Sequence, residues 1–252
     1  MLKPILSCST AAIVAVMGLS SSVAADGHET VARTFPAIFG AASAVAAPGG
    51  SGYVALTYST PRGGVAGNDA DGDVSAGYTI GNPVKNVSVS FGVNINSLSD
   101  SFGDSGNFTL GLSRVANIGE RSVTFVGLSA GKLAGWGDAA SDDETYSAYV
   151  SHVTAYDSSS GEIPVQYTLG YGADSTLSED GLGTLSDGIF YGVGVGVSET
   201  VSVSLSGTET QLNLGGTVII PSVSGLSVTA GVYDATDNAS RQQYSLTVAY
   251  GF

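Results

Sequence analysis

The sequence predicts an all-β protein, a transmembrane up-and-down antiparallel β-barrel of about 12 strands. Beginning at Ser51, segments of about ten residues alternate apolar with small polar residues, which is the period of a strand with one apolar face. Roughly ten residues is also the length that a tilted strand needs to cross the hydrocarbon layer of a bilayer. The strand number is even, and longer acidic breaks alternate with shorter ones, as in barrels with short periplasmic turns.

The composition excludes several other classes of protein. The chain has 252 residues, 36 of them glycine, and its 22 Asp+Glu against 8 Lys+Arg give a net charge of −14. This acidity argues against nucleic acid as a partner, because phosphate neutralisation needs clustered Lys and Arg. The charged fraction of only 12% argues against disorder. Beyond the N-terminus no uninterrupted apolar run of about 18 residues predicts a membrane helix.

The N-terminal residues have the features of a secretory signal peptide. Lys3 supplies a positive charge, Ala11–Leu19 form an apolar core, and Ser22–Ala25 offer a cleavage site of small residues. The only cysteine, Cys8, lies within this signal, so the exported chain would contain no disulfide. The predicted domains are a signal peptide at 1–25, an N-terminal periplasmic or lumen-plugging segment at 26–50, and the barrel at 51–252.

Individual strands follow from the alternation, taken in chain order. Strand starts are expected near Gly52, Asp73, Val87, Asn107, Ser122, Thr145, Val165, Ile189, Val201, Leu212, Leu226 and Gln243. The strand near Thr145 is the least regular, because neither of its faces is cleanly apolar. All 12 tyrosines fall within or beside the strands, many near a strand end, as expected for aromatic belts at the two membrane interfaces.

The inward positions of this barrel would carry mostly Gly, Ser, Thr and Asn. Barrels of about eight strands are filled by their side chains, and those of 16 to 18 strands leave a channel. Small inward side chains in a barrel of intermediate size therefore favour an open or partly open lumen. The alternative is that Arg33–Ala47, which contains an Ala-rich apolar stretch, folds into the lumen as a plug.

Acidic residues are concentrated in the longer breaks and predict a negatively charged rim at one mouth of the barrel. The residues assigned to this pore rim are Asp69, Asp71, Asp73, Asp138, Asp142, Asp143, Asp174, Glu179 and Asp180. Such a rim would concentrate cations and repel anions. The alternative is that these loops only keep the surface solvated, or meet lipopolysaccharide through bridging divalent cations.

Two local patterns suggest further chemistry. Residues 68–73 alternate carboxylates with a glycine, and Asp69, Asp71 and Asp73 could bind Ca²⁺, although an ordinary acidic loop is the simpler interpretation. Ser151 adjoins His152, but neighbouring strand residues point to opposite faces and cannot act as nucleophile and base. We therefore expect neither an enzyme nor a cofactor beyond that possible Ca²⁺.

The last strand carries apolar and aromatic residues at alternate positions, Tyr244, Leu246, Val248, Tyr250 and the C-terminal Phe252. In this pattern it resembles the last strand of bacterial outer-membrane β-barrel proteins, the porin-like superfamily. In that superfamily a final aromatic on such an alternating face is recognised by the barrel-assembly machinery. The resemblance implies assembly in the outer membrane of a Gram-negative-type bacterium, in contact with its lipid and lipopolysaccharide.

Together these observations predict an outer-membrane channel for passive diffusion of small solutes, with a cation preference from the acidic extracellular rim. The alternative is a non-conducting structural or surface-interaction barrel in the same membrane. A soluble secreted β-protein is the remaining option.

Overall fold

A computed structural model describes residues 36–62, 70–96, 98, 102–159, 161–177, 185–238 and 240–252. Its β-strands form one closed barrel in which neighbours in sequence are neighbours in space. The strands are β1 (Gly52–Ser59), β2 (Asp71–Gly81), β3 (Ser88–Asn96), β4 (Ser105–Ile118), β5 (Ser122–Trp136), β6 (Thr145–Ser158), β7 (Gly161–Leu177), β8 (Leu185–Gly196), β9 (Val201–Gly207), β10 (Leu212–Ile219), β11 (Leu226–Tyr233) and β12 (Gln243–Gly251). The predicted fold class is therefore confirmed.

Every strand pairs antiparallel with both of its neighbours, and β1 closes the barrel on β12. In that closing pair Tyr53 lies opposite Gly251 and Ser59 lies opposite Ser245. A short 3₁₀ helix at Gly137–Ser141 follows β5. Within the described part of the chain no helix is both long and apolar enough to cross a membrane.

The outer face of the barrel is apolar. Leu56, Phe91 and Leu169, for example, are 47%, 53% and 60% exposed, which is the exposure expected for side chains that face lipid. Outward aromatic side chains form two belts. Near one end of the strands lie Tyr58, Tyr146, Tyr171, Tyr191 and Tyr244, and near the other lie Tyr78, Tyr156, Tyr167, Tyr250 and Phe252. The barrel thus has the design of an outer-membrane protein.

The inner face is polar, and its hydroxyl and amide groups bond across neighbouring strands. Three hydrogen-bonded hydroxyl pairs are Thr57–Thr247 at 2.9 Å, Thr217–Thr229 at 2.9 Å and Thr79–Ser90 at 3.0 Å. The amide of Asn94 donates to the side-chain oxygen of Asn107 at 3.0 Å. These pairs satisfy polar groups on the inner face, several of which, such as Thr79, Asn107 and Thr247, are buried.

The two ends of the barrel differ. The short-turn end carries both Gly52 and Phe252 and the connections at 82–87, 119–121, 159–160, 197–200 and 220–225. At this end Arg121 donates hydrogen bonds to the carboxylates of Asp157 and Glu162 at 2.5–2.7 Å. These hydrogen bonds raise the pKa of the Arg121 guanidinium, which stays charged and links the β4–β5 and β6–β7 hairpins. The opposite end, called the long-loop end, carries the remaining connections.

Candidate functional site: the lumen and the segment inside it

Residues 36–48, called the plug segment, lie inside the barrel. Ile38 and Phe39 are 3% and 6% exposed, and Ala44 is 1% exposed. The lumen is therefore occupied over part of its section. The small inward side chains that favoured an open or partly open lumen make room for this segment on one side and leave a cavity on the other.

The plug segment enters and leaves at the short-turn end. Its carbonyl at Ala37 lies against Gly194, near the end of β8, where a Cβ would come within 2.9 Å of that oxygen. The chain runs to Gly40, which has a φ of +76° and lies against the Asn213 side chain. A residue with a side chain would be strained here by this φ and would also overlap with Asn213. It then returns, and the Gly50 amide donates to a β2 carbonyl at 2.7 Å before β1 begins.

Wall hydroxyls satisfy the backbone of the first half of the plug segment. The Phe39 amide donates to the Ser204 hydroxyl at 3.0 Å, and the Ser206 hydroxyl donates to the Phe39 carbonyl at 2.5 Å. On β7, two strands away from β9, the Thr168 hydroxyl donates to the Ala42 carbonyl at 3.0 Å. An irregular segment inside a barrel needs such partners because its own backbone makes no ladder.

The second half of the plug segment is bonded to β4, β6 and β7. The Ala44 amide donates to the Ser151 hydroxyl at 2.8 Å, and the Ser113 hydroxyl donates to the Ala44 carbonyl. The Gln166 amide donates to the Ser43 hydroxyl at 2.5 Å. These inward Ser, Thr and Gln residues thus bind the plug segment, through its backbone or, for Gln166, through the Ser43 hydroxyl, and do not line an empty pore.

Apolar packing also holds the plug segment to one side of the lumen. The cluster comprises Ile38, Ala41, Ala44 and Val45 of the plug segment with Val123, Phe125, Tyr149, Val153 and Phe190 of the wall. Above it the Phe39 ring lies over Gly215 and Gly231, and its centroid is 4.4 Å from that of Tyr233. Wall glycines therefore provide the space that the plug side chains occupy.

A cavity of about 120 Å³ remains between the plug segment and the wall formed by β1–β6. It runs from Gly52 and Thr79 at the short-turn end to Gly92 and Thr109 near the middle of the wall. Its lining comes from residues 43–47, from the inward Tyr53 and Tyr149, and from Gly, Ser and Thr of the strands, and it also includes Tyr78, Phe91, Leu110 and Leu112. Among the described residues, the side chains that line it include none that is charged.

Two arginines are buried at the long-loop end, where the sequence predicted only an exposed rim. Arg62 is 3% exposed and Arg241 is 1% exposed, and the Arg62 guanidinium donates to the Gln243 side chain at 3.4 Å. Arg62 and Asp73 both act electrostatically on the buried Tyr233 hydroxyl. The sequence holds a weak indication that Arg241 points inward, because it falls on the same alternation as the inward positions of β12.

The predicted rim residues have different environments in the structure. Asp138 and Asp143 are exposed, whereas Asp142 pairs with the Lys132 ammonium at 3.5 Å. Asp174 belongs to β7. Three further rim residues, Asp69, Glu179 and Asp180, lie outside the described residues.

The proposed calcium residues are only partly described. One carboxylate oxygen of Asp71 accepts the amides of Gly72 at 2.7 Å and Leu98 at 3.0 Å, so it serves a local backbone turn. Within the described ranges, which omit Asp69, no group of three or more His, Cys, Asp or Glu side chains could hold a metal ion. Calcium binding at residues 68–73 stays a prediction.

Ser151 and His152 are on opposite faces of β6. Ser151 is fully buried among the plug contacts, while Nδ1 of His152 lies 2.9 Å from the Thr124 hydroxyl, its cross-strand partner on the outer face.

The five residues proposed as the assembly signal all lie on the outer face of β12 and its end, namely Tyr244, Leu246, Val248, Tyr250 and Phe252. Their role in assembly stays a prediction.

Comparison with known proteins gives the fold. No family model matches the sequence, and no curated protein is similar to it. Among solved structures, the KdgM porin in complex with disordered oligogalacturonate has a TM-score of 0.51 at 11% identity, covering 79% of this chain and 99% of that chain. A second KdgM porin structure gives 0.51 at 10% identity with the same coverage. The NanC porin gives 0.46 at 10% identity, covering 78% and 98%.

At such low identity the likeness shows the fold alone. The chain shares the barrel fold of outer-membrane porins, and its apolar outer face and two aromatic belts fit the outer membrane of a Gram-negative bacterium.

Proposed function

We propose that the protein is an outer-membrane channel for passive diffusion of small solutes, and that the plug segment narrows its lumen. The observation that carries this proposal is the cavity of about 120 Å³ left beside the plug segment. A barrel whose only role were structural would gain stability by filling this space with larger side chains. Here the wall beside the cavity instead carries Gly92, Gly111 and Ser90.

The finer part of the proposal is a preference for cations over anions. Among the described residues of the long-loop end, Asp138, Asp143 and Glu144 are exposed, whereas Arg62 and Arg241 are buried. Carboxylates at a mouth raise the local concentration of cations, and salt screens this effect.

Conductance of the purified protein in planar bilayers tests both parts. We expect small single-channel currents and, in a salt gradient, a reversal potential that favours cations. Asp138→Asn combined with Asp143→Asn should move that potential toward zero at low salt, while Asp157→Asn at the other end serves as the matched control. The channel would be refuted if membranes containing the protein showed no current and no solute uptake above protein-free membranes.

A second candidate, a non-conducting structural or surface-interaction barrel, is favoured by the close packing of the plug segment on β4–β11. In that case the exposed carboxylates would meet lipopolysaccharide through divalent cations. Membranes that contain the folded protein but pass no solute would support this candidate.

A further inference from the structure

The cavity beside the plug segment differs from the rest of the lumen in its chemistry. The long-loop end holds buried arginines and acids, and the opposite side of the lumen is filled by the apolar cluster. The cavity lies between these two regions: Ala44, Val45 and Tyr149 of the apolar cluster border it, but it is not filled, and its described lining includes no charged side chain. Its polar groups are hydroxyls, which both donate and accept hydrogen bonds, and they include those of Tyr53, Thr109 and Tyr149.

We propose that this cavity is the inner half of the solute route, and that it passes small uncharged, hydroxyl-bearing solutes such as short polyols faster than ions, so that ions carry only small currents and the acidic mouth decides which ions these are. The inference rests on the proposed channel function and adds to it a route and a class of solute. An ion that enters must give up part of its hydration shell, and the described lining includes no charged side chain to replace it. A polyol exchanges its water hydrogen bonds for those of the wall hydroxyls.

The size of the cavity limits the solute. One water needs about 10–15 Å³ of such space, so about 120 Å³ holds several waters or one molecule of a few carbon atoms. The plug residues 43–47 form one side of the cavity and therefore set its width. Solute passes beside the plug segment, which stays in place.

Gly111 is the position at which this route can be narrowed with little disturbance. A Cβ at Gly111 would lie 3.6 Å from the Ser90 Cβ, an ordinary van der Waals separation, and would point into the cavity. At Gly92 the Thr109 hydroxyl would be only 2.3 Å away. Gly216 provides a matched control, because it also has room, with the Ser202 carbonyl at 3.5 Å, but alternates to the outer face of β10.

The first experiment measures swelling of proteoliposomes in glycerol and erythritol. We expect Gly111→Leu to slow swelling at least fivefold and Gly216→Leu to leave it unchanged, with the folded fraction of each variant checked by heat-dependent gel mobility. If wild-type vesicles swell and Gly111→Leu swells equally fast, the route is wrong but the channel stands. If wild-type vesicles do not swell above protein-free ones, the channel itself is refuted.

The second experiment tests the solute class without relying on transport. Gly111→Cys and, as a control in an exposed position, Ala140→Cys are treated with methanethiosulfonate reagents that are neutral, cationic or anionic. For each cysteine, the rate of reaction with the neutral reagent is divided by the rate with each charged reagent. We expect this ratio to be at least tenfold higher at position 111 than at position 140. Equal ratios at the two positions would overturn the selection for uncharged solutes.

Discussion

The amide of Ala44 donates a 2.8 Å hydrogen bond to the hydroxyl of Ser151, which is fully buried in β6. The same hydroxyl lies 3.0 Å from that of Thr168 on β7. One serine thus joins the plug segment to two wall strands, and its position on the inner face follows from the two-residue period of β6. The lumen is therefore organised around plug contacts, and these contacts can be tested one at a time.

Ser151→Ala should loosen the plug segment without unfolding the barrel. Removing the hydroxyl leaves the Ala44 amide buried without its acceptor, which costs about 1–3 kcal/mol. We expect hydrogen exchange at the Ala44 amide to rise at least about fivefold, measured by mass spectrometry or NMR in detergent. Ser147→Ala, two inward positions closer to the long-loop end, is the control. Equal exchange in both variants would show that Ser151 does not hold the segment.

A disulfide between positions 43 and 151 should leave solute flux unchanged. The two serine hydroxyls lie 3.5 Å apart, so sulfur atoms in their places reach bonding distance after small rotations. The only native cysteine is Cys8, so the pair Ser43→Cys and Ser151→Cys has no competing thiol in the barrel. We expect swelling rates of oxidised and reduced protein to agree within about twofold, since the proposed route passes beside the plug segment.

The single variant Ser43→Cys, treated in the same way, controls for the effect of the oxidant. A channel that closes on oxidation and reopens with a reductant would instead mean that the plug segment must move out of the lumen for solute to pass.

Most of the wall could be predicted from the sequence because its two faces differ in polarity. The strand starts agree with the structure to within four residues, and the largest differences, at β7 and β8, arise where the ladder extends past the regular alternation. In the outer membrane the apolar positions face lipid, so period-two alternation is strong wherever the inner face is small and polar.

The plug contacts explain why β6 gave an unclear pattern. Its inward residues include Tyr149 and Val153, which pack on the plug segment, while Val150 and Tyr156 face outward. Both faces are therefore partly apolar. The inward position of Phe125 in β5 could not be predicted for the same reason, because a local sequence pattern does not show that a distant segment will cover the inner face.

The buried arginines escaped prediction for a different reason. Arg62 follows β1 and Arg241 precedes β12, in connections where charged residues are usually solvated. Only the closure of β1 on β12 brings these two strand ends together, and pairing between the first and last strands is a property of the whole barrel.

Gly215→Val should displace the tip of the plug segment. A Cβ at Gly215 would lie 2.3 Å from the Phe39 Cβ, and steric overlap of this kind in a packed core costs about 1–3 kcal/mol. Phe39→Ala should cost about 3–5 kcal/mol through loss of the ring that packs on Tyr233. In the double variant Phe39→Ala with Gly215→Val, the valine occupies part of the space that the Phe39 ring vacates. We therefore expect the double variant to lose at least about 1 kcal/mol less unfolding free energy than the two single variants lose when added together.

Urea unfolding in lipid vesicles measures these differences. Gly216→Val, on the outer face, should change the free energy of unfolding by no more than about 0.5 kcal/mol. Additive effects at positions 39 and 215 would contradict the contact between the plug tip and β10.

Phe252→Ala should impair assembly in cells more than folding in detergent. The Phe252 ring is 62% exposed on the outer face. The Phe252 backbone closes the barrel, since its amide donates to the Gly52 carbonyl at 2.9 Å and its carbonyl accepts from the Gly52 amide at 2.8 Å. The substitution removes only the side chain, so the closing bonds remain available. We expect the amount of heat-modifiable protein in outer membranes to fall at least fivefold, while refolding yield from urea into detergent stays within about twofold of wild type. Tyr167→Ala, an outward aromatic of β7, is the control and should assemble normally. A parallel loss of refolding would mean that Phe252 stabilises the barrel itself and is not read as an assembly signal.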